Sequence, residues 1–263
     1  MLKKLLKYDL QWCYKPLIIF YILAIFFAVV TRLVNMVDNS FIFMIIGKIL
    51  QGVIIAMVIN IIINNFMRVW ARVNKNLYKD ESYLTHTLPI SKTTIFTSKV
   101  LAAIITILTS SIVIIATIAI AYLTKDNWNS LKNMLEGTAV FFNSSVTSLI
   151  VIMTVSIFVE LLFALMAGIL GAIIGNRFNN GKTLKSILIG FAIYMLASNL
   201  SIAIMYIIGL VNPDILKLFT SSTDISTEAF KTILYIEIIL YCVYNFMCYL
   251  LGNKILKKGV NVE

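Results

Sequence analysis

Six long apolar stretches, near residues 17–34, 41–66, 95–123, 146–175, 186–211 and 232–251, leave this chain few folds to choose from. A helix of about 20 apolar residues rises about 30 Å, the thickness of a bilayer's hydrocarbon core. Inside hydrocarbon no water can satisfy a free N–H or C=O, so only helices and closed barrels cross it. A barrel strand alternates polar and apolar side chains over about ten residues. The stretch from Ile54 to Ile63 does not alternate in this way. Composition agrees: the 263 residues are 60% hydrophobic and 13% charged, against about 25% charged in soluble domains. The expected fold is an all-α polytopic membrane protein with about six transmembrane helices, forming one transmembrane domain over residues 1–263 in the cell membrane.

The net charge of +10 invites a nucleic-acid reading until its placement is considered. Of the 22 Lys and Arg residues, one face of the six-span arrangement keeps only Arg32, Lys48, Lys125, Lys132, Lys217 and Lys231. The remainder fall with the two termini and the segments between spans 2 and 3 and spans 4 and 5. Under the positive-inside rule this predicts N-in/C-in topology and explains the basic balance with no nucleic-acid partner. Cys13, Cys242 and Cys248 offer no outside disulfide framework. The basic start precedes a long apolar run that enters Thr31, Arg32 and Leu33 with no small-x-small cleavage site, which predicts a retained first span.

Residues 1–15 place Leu2, Leu5, Leu6, Leu10 and Cys13 at helical spacing, opposite Lys3, Lys4, Lys7 and Asp9. That pattern fits an interfacial amphipathic helix touching membrane lipid, and equally a basic topology anchor. In the fourth span, Ala167, Gly171 and Gly175 sit four apart beside a second ridge of Ala164, Gly168 and Ala172. Small residues at this spacing admit a close helix, either from the same chain or from a second copy. The connections over residues 125–145 and 212–231 are too short for independent domains. No internal repeat supports an inverted-repeat carrier.

Residues 68–99 stand apart from this pattern. They continue the second helix through Tyr78, then place Asp80, Glu81, Ser82, Tyr83, Leu84, Thr85, His86, Thr87 and Leu88 before Pro89. Proline ends a helix there, and Ser91 suits the N-cap of the third span. One short amphipathic helical turn is expected between those breaks. It offers Tyr83, Leu84 and Leu88 to a partner, or rests them on the membrane surface.

The run Asn76, Leu77, Tyr78, Lys79, Asp80, Glu81, Ser82, Tyr83 and Leu84, followed by Thr87, Leu88, Pro89, Ile90, Ser91, Lys92 and Lys99, resembles the permease subunits of the ABC-2 type family of ATP-binding-cassette transporters. The six spans, basic entry helix and inward termini are similar to that family too. The resemblance implies a single permease domain whose insert is a cytoplasmic coupling helix docking on cytosolic ATPase subunits. It would place Asp80, Glu81, Tyr83, Leu84 and Leu88 at that contact, and a second permease copy or paralogue beside this one. Unlike some eukaryotic relatives, the segment before the last span is short and carries no cysteine. An apolar pathway with few fixed charges suits export of hydrophobic or amphipathic cargo such as a peptide, lipid or drug.

Enzyme chemistry has no visible carrier in the sequence, and no cofactor is expected. Asn180, Gly181, Lys182 and Thr183 imitate the end of a phosphate-binding loop, but Asn176 stands where the first glycine belongs and no soluble strand precedes it. ATP would be hydrolysed by another chain. His86 is the only histidine, too little for a metal site or a membrane metalloprotease. Three charges lie within spans: Lys48, Glu160 and Glu237. At about 1.5 Å per residue they stand roughly 27, 22 and 21 Å from the inner helix ends. Unpaired charges at such depth are costly, so pairing, snorkelling or a wet pathway is expected. Rival readings are an ion-coupled carrier or channel using these three residues, and a membrane scaffold whose insert recruits a soluble protein.

Overall fold

The computed structural model describes residues 1–37, 41–220 and 227–259. These form nine helices, of which six are long and apolar enough to cross a membrane. In chain order they are α1 (Leu2–Asn35), α2 (Phe41–Leu77), α3 (Ser82–Thr87), α4 (Lys92–Tyr122), α5 (Lys125–Phe141), α6 (Val146–Gly175), α7 (Lys182–Val211), α8 (Pro213–Thr220) and α9 (Thr227–Lys257). All but α3, α5 and α8 are candidate spans, so the chain is a multi-pass helical membrane protein. The described residues form two compact units, one over 1–128 and one over 129–259.

In the first unit, α1, α2 and α4 pack together. The entry stretch and the first span are one continuous helix with Pro16 inside it. Its buried ridge is Asp9, Cys13, Leu17, Tyr21, Ala24, Ala28 and Thr31, spaced three or four apart as a 3.6-residue helix requires. Leu17, Tyr21 and Ala24 meet Ile61 of α2, while Ala28 meets Ile54 and Ala121. Two features correct the expected amphipathic pattern: Asp9, expected on the polar face, leads the buried ridge, and Leu6 and Leu10, expected opposite the lysines, line one face with Lys3 and Lys7. Several polar groups between these helices satisfy one another. The hydroxyls of Tyr21 and Ser110 lie 2.7 Å apart, and Asn65 donates from Nδ2 to the Thr106 carbonyl at 2.8 Å and to Ser110 Oγ at 2.6 Å. In an apolar medium such bonds are the alternative to an unsatisfied group.

In the second unit, α6 packs against α7 and α9. A Cβ added at Gly171 would lie 2.5 Å from the Gly190 nitrogen, and one at Gly175 would lie 2.2 Å from Ser186 Oγ. The ridge of Ala167, Gly171 and Gly175 is therefore spent on α7 of the same chain, which decides between the two alternatives in favour of internal packing. Lipid offers no hydrophobic drive for helix association, so this close approach supplies the dispersion contacts that hold the pair. Toward α9, the Phe163 ring meets those of Tyr241 and Tyr244 at centroid distances of 5.4 and 5.5 Å.

The connections hold more helix than their composition predicts. Residues 125–145 contain the 17-residue α5, and Pro213 opens α8 at the helix position where its missing N–H costs nothing. The imitation phosphate loop is a helix entry. Gly181 takes the left-handed φ of 67° immediately before α7, a conformation that glycine adopts freely.

Candidate functional site

The segment around α3 is built from its breaks. Helix α2 ends at Leu77 and a turn follows. Helix α3 runs only from Ser82 to Thr87, with extended Leu88 ahead of Pro89. Ser91 then caps α4, its Oγ accepting from the Thr94 N–H at 3.2 Å. The expected short turn, proline stop and serine cap are all present.

Six residues give α3 only one full turn, too little to hold a helix on local propensity alone. Tertiary ties supply the rest. Glu81, just before the first turn, makes no side-chain cap. Its Oε2 instead accepts from Arg72 Nη1 at 2.6 Å and from Asn76 Nδ2 at 3.2 Å, with Lys75 Nζ 3.5 Å from Oε1. Thr85 turns inward and donates from Oγ1 to the Glu81 carbonyl at 2.9 Å. His86 Nε2 lies 3.1 Å from the Leu77 carbonyl, one of the last acceptors of α2. The single histidine thus ties α3 to α2.

Behind Glu81 lies a buried charge cluster. Asp9 of α1 is 1% exposed and accepts from three donors. Arg72 Nε reaches its Oδ1 at 2.8 Å, Ser98 Oγ reaches its Oδ2 at 2.6 Å, and Lys99 Nζ also bonds Oδ1. Trp12 places its ring 5.6 Å from the Arg72 guanidinium carbon, a cation–π contact on the same side of α1. Helices α1, α2 and α4 therefore meet at Asp9, and the segment leading into α3 joins them through Arg72, whose planar fork serves Asp9 and Glu81 together. Burial acts to raise the Glu81 carboxyl pKa, but Arg72, the Asn76 hydrogen bond and Lys75 outweigh it and hold that pKa below the ordinary carboxylate value.

The inward and outward faces of α3 differ in kind. Ser82 and Thr85 are buried, whereas Tyr83 is 76% exposed, Leu84 69% and Leu88 43%. Asp80 is exposed beside them, and Glu81 is turned toward Arg72. Of the charges within spans, Glu160 and Glu237 lie within electrostatic reach of each other on α6 and α9. Glu160 accepts from the Tyr194 hydroxyl at 3.1 Å. Lys48 is exposed on α2, in the other compact unit.

Sequence reasoning missed Asp9, Arg72 and Lys99 as a group, because it counted the two cations only toward topology. A signal existed: Asp9, Cys13, Leu17 and Tyr21 are each four apart, so the acid stands in line with the buried ridge of the span.

Comparison with protein-family models, curated proteins and solved structures yields no match to this chain.

Proposed function

We propose that this chain is the membrane-spanning subunit of an ATP-binding-cassette exporter, with both termini and α3 in the cytoplasm and α3 docking on a separate ATPase. One observation carries the reading. A helix too short to stand alone is held by the half-buried ion pairs of Glu81 with Arg72 and Lys75, yet it presents Tyr83, Leu84 and Leu88 outward. A connector needing only to link two spans would not need exposed apolar side chains on a fixed support. The resemblance of this segment to the coupling region of ABC-2 type permeases gives that support a purpose.

In this reading, ATP-driven movement of the ATPase pushes on Tyr83 and Leu84. Glu81 and Arg72 pass the displacement to Asp9 on α1, and through Asp9 to Lys99 on α4. Helices from two permease copies or paralogues then change their packing to open a path for hydrophobic or amphipathic cargo. In this reading the energy comes from ATP hydrolysis by the partner.

The test is co-purification of a candidate ATP-binding-cassette ATPase co-expressed with this chain, and its cargo-stimulated hydrolysis, with the Tyr83→Ala Leu84→Ala double variant at matched membrane levels. Losing a buried aromatic anchor at an interface commonly costs about 2 kcal/mol or more. Both readouts should fall, and unchanged values would remove α3 as the coupling element. The proximity of Glu160 to Glu237 favours a second reading, an ion-coupled carrier, which predicts transport with no ATPase present.

A further inference from the structure

We propose that the exposed face of α1 bearing Lys3, Lys7, Gln11 and Lys15 binds the headgroup of an anionic glycerophospholipid. This inference rests on the membrane-spanning fold and stands whether or not an ATPase docks on α3.

A shallow cavity of about 500 Å³ runs along this face, with Leu6, Leu10 and Ile18 between the cations. No acid lines it. The one carboxylate of the entry stretch, Asp9, points the other way into Arg72 and Lys99, so nothing within the cavity neutralises its three lysines. Lys7 and Lys15 are two helical turns apart, about 12 Å, with Gln11 midway. Two flexible ammonium groups of that spacing can converge on one phosphate while the amide donates to it.

The same face then changes character in the way a phospholipid does. Three residues past Lys15 comes Ile18, 48% exposed, followed by Ile22 at 64% and Phe26 at 56%. These are spaced four apart and continue one line along the helix. A headgroup on Lys7, Gln11 and Lys15 therefore sets its acyl chain on Ile18, Ile22 and Phe26. An acidic soluble segment would match the lysines but not this apolar continuation. Because the opposite face of α1 carries Asp9, Cys13 and Leu17 into α2 and α4, a lipid held here stands on the helix that shares the buried charge cluster.

The experiment uses the full chain in nanodiscs of phosphatidylcholine with or without 30% phosphatidylglycerol, followed by detergent extraction and native mass spectrometry of retained lipid. Wild type should keep phosphatidylglycerol in preference to phosphatidylcholine. The triple variant Lys3→Gln, Lys7→Gln, Lys15→Gln should lose most of that preference, by about fivefold per lysine. These lysines are exposed, so the variant keeps its packing. A control that removes the same charge at Lys254, Lys257 and Lys258 should retain the lipid. Equal loss in both triple variants would assign the effect to net charge and overturn the site, as would full retention in the first. Displacement of the lipid by inorganic phosphate would assign the lysines to a soluble anion and overturn it as well.

Discussion

Arg72 Nε donates to Asp9 Oδ1 at 2.8 Å across 63 residues of sequence, joining the buried faces of α1 and α2 at one carboxylate. The contact explains why an acid occurs on the packed ridge of a helix that is otherwise apolar there. A buried ion pair adds little stability over an apolar pair of equal shape, but removing one member strands the other without its solvation. Loss of Asp9 would strand Lys99 and leave Arg72 with Glu81 alone.

Asp9→Ala is therefore the most damaging single change expected in the first unit. It leaves Arg72 and Lys99 without their shared carboxylate, and loss of one partner from a buried pair costs about 3 to 5 kcal/mol. The thermal unfolding midpoint in detergent should drop sharply. Adding Lys99→Met to Asp9→Ala should recover part of the loss, because one stranded charge disappears. Strict additivity of the two changes would contradict the shared site.

Glu81 makes the attachment of α3 sensitive to acid. Its pKa in the folded chain is depressed below the unfolded reference of 4.5 by Arg72, Asn76 and Lys75, against the opposing effect of burial. A depressed carboxylate contributes stability that is fully present above the unfolded value and is lost as pH falls through the folded one. Protection factors of the amides from Ser82 to Thr87 should hold above pH 4.5 and decline below it. Glu81→Gln should show reduced protection at neutral pH and a flatter acid profile. A wild-type profile in the variant would mean that Thr85 and His86 suffice to hold α3.

Gly171 and Gly168 separate packing from mere smallness. Gly171→Ala drives a Cβ to within 2.6 Å of the Gly190 and Ser186 backbones, while at Gly168 nothing lies within 4 Å. Overpacking of this kind typically costs about 1 to 3 kcal/mol. The first substitution should lower the unfolding midpoint and the second should not. Equal effects would show that the α6 ridge is not packed on α7.

Topology can be read by thiol labelling in a Cys242→Ser background, since Cys13 and Cys248 are buried. Cysteines at Lys79 and Lys258 should resist an impermeant reagent in intact cells, and one at Asn129 should react. Labelling of the first two from outside would reverse the orientation proposed from the lysine and arginine distribution.

The span count, the ends of α2, α3 and α4, and the exposed trio of Tyr83, Leu84 and Leu88 were legible in the sequence. Hydrocarbon thickness, the helix-breaking ring of Pro89 and the capping hydroxyl of Ser91 all act within a few residues. What those residues rest on was not legible. Whether Asp9 faces water or Arg72, and whether Gly171 meets its own chain or a second copy, depends on which distant helix becomes the neighbour. An acid at helical spacing reads the same in either case. Only the packing of α1, α2 and α4 turned Asp9, Arg72, Lys99 and Glu81 into one cluster, because a charge removed from water must find partners wherever the fold brings them.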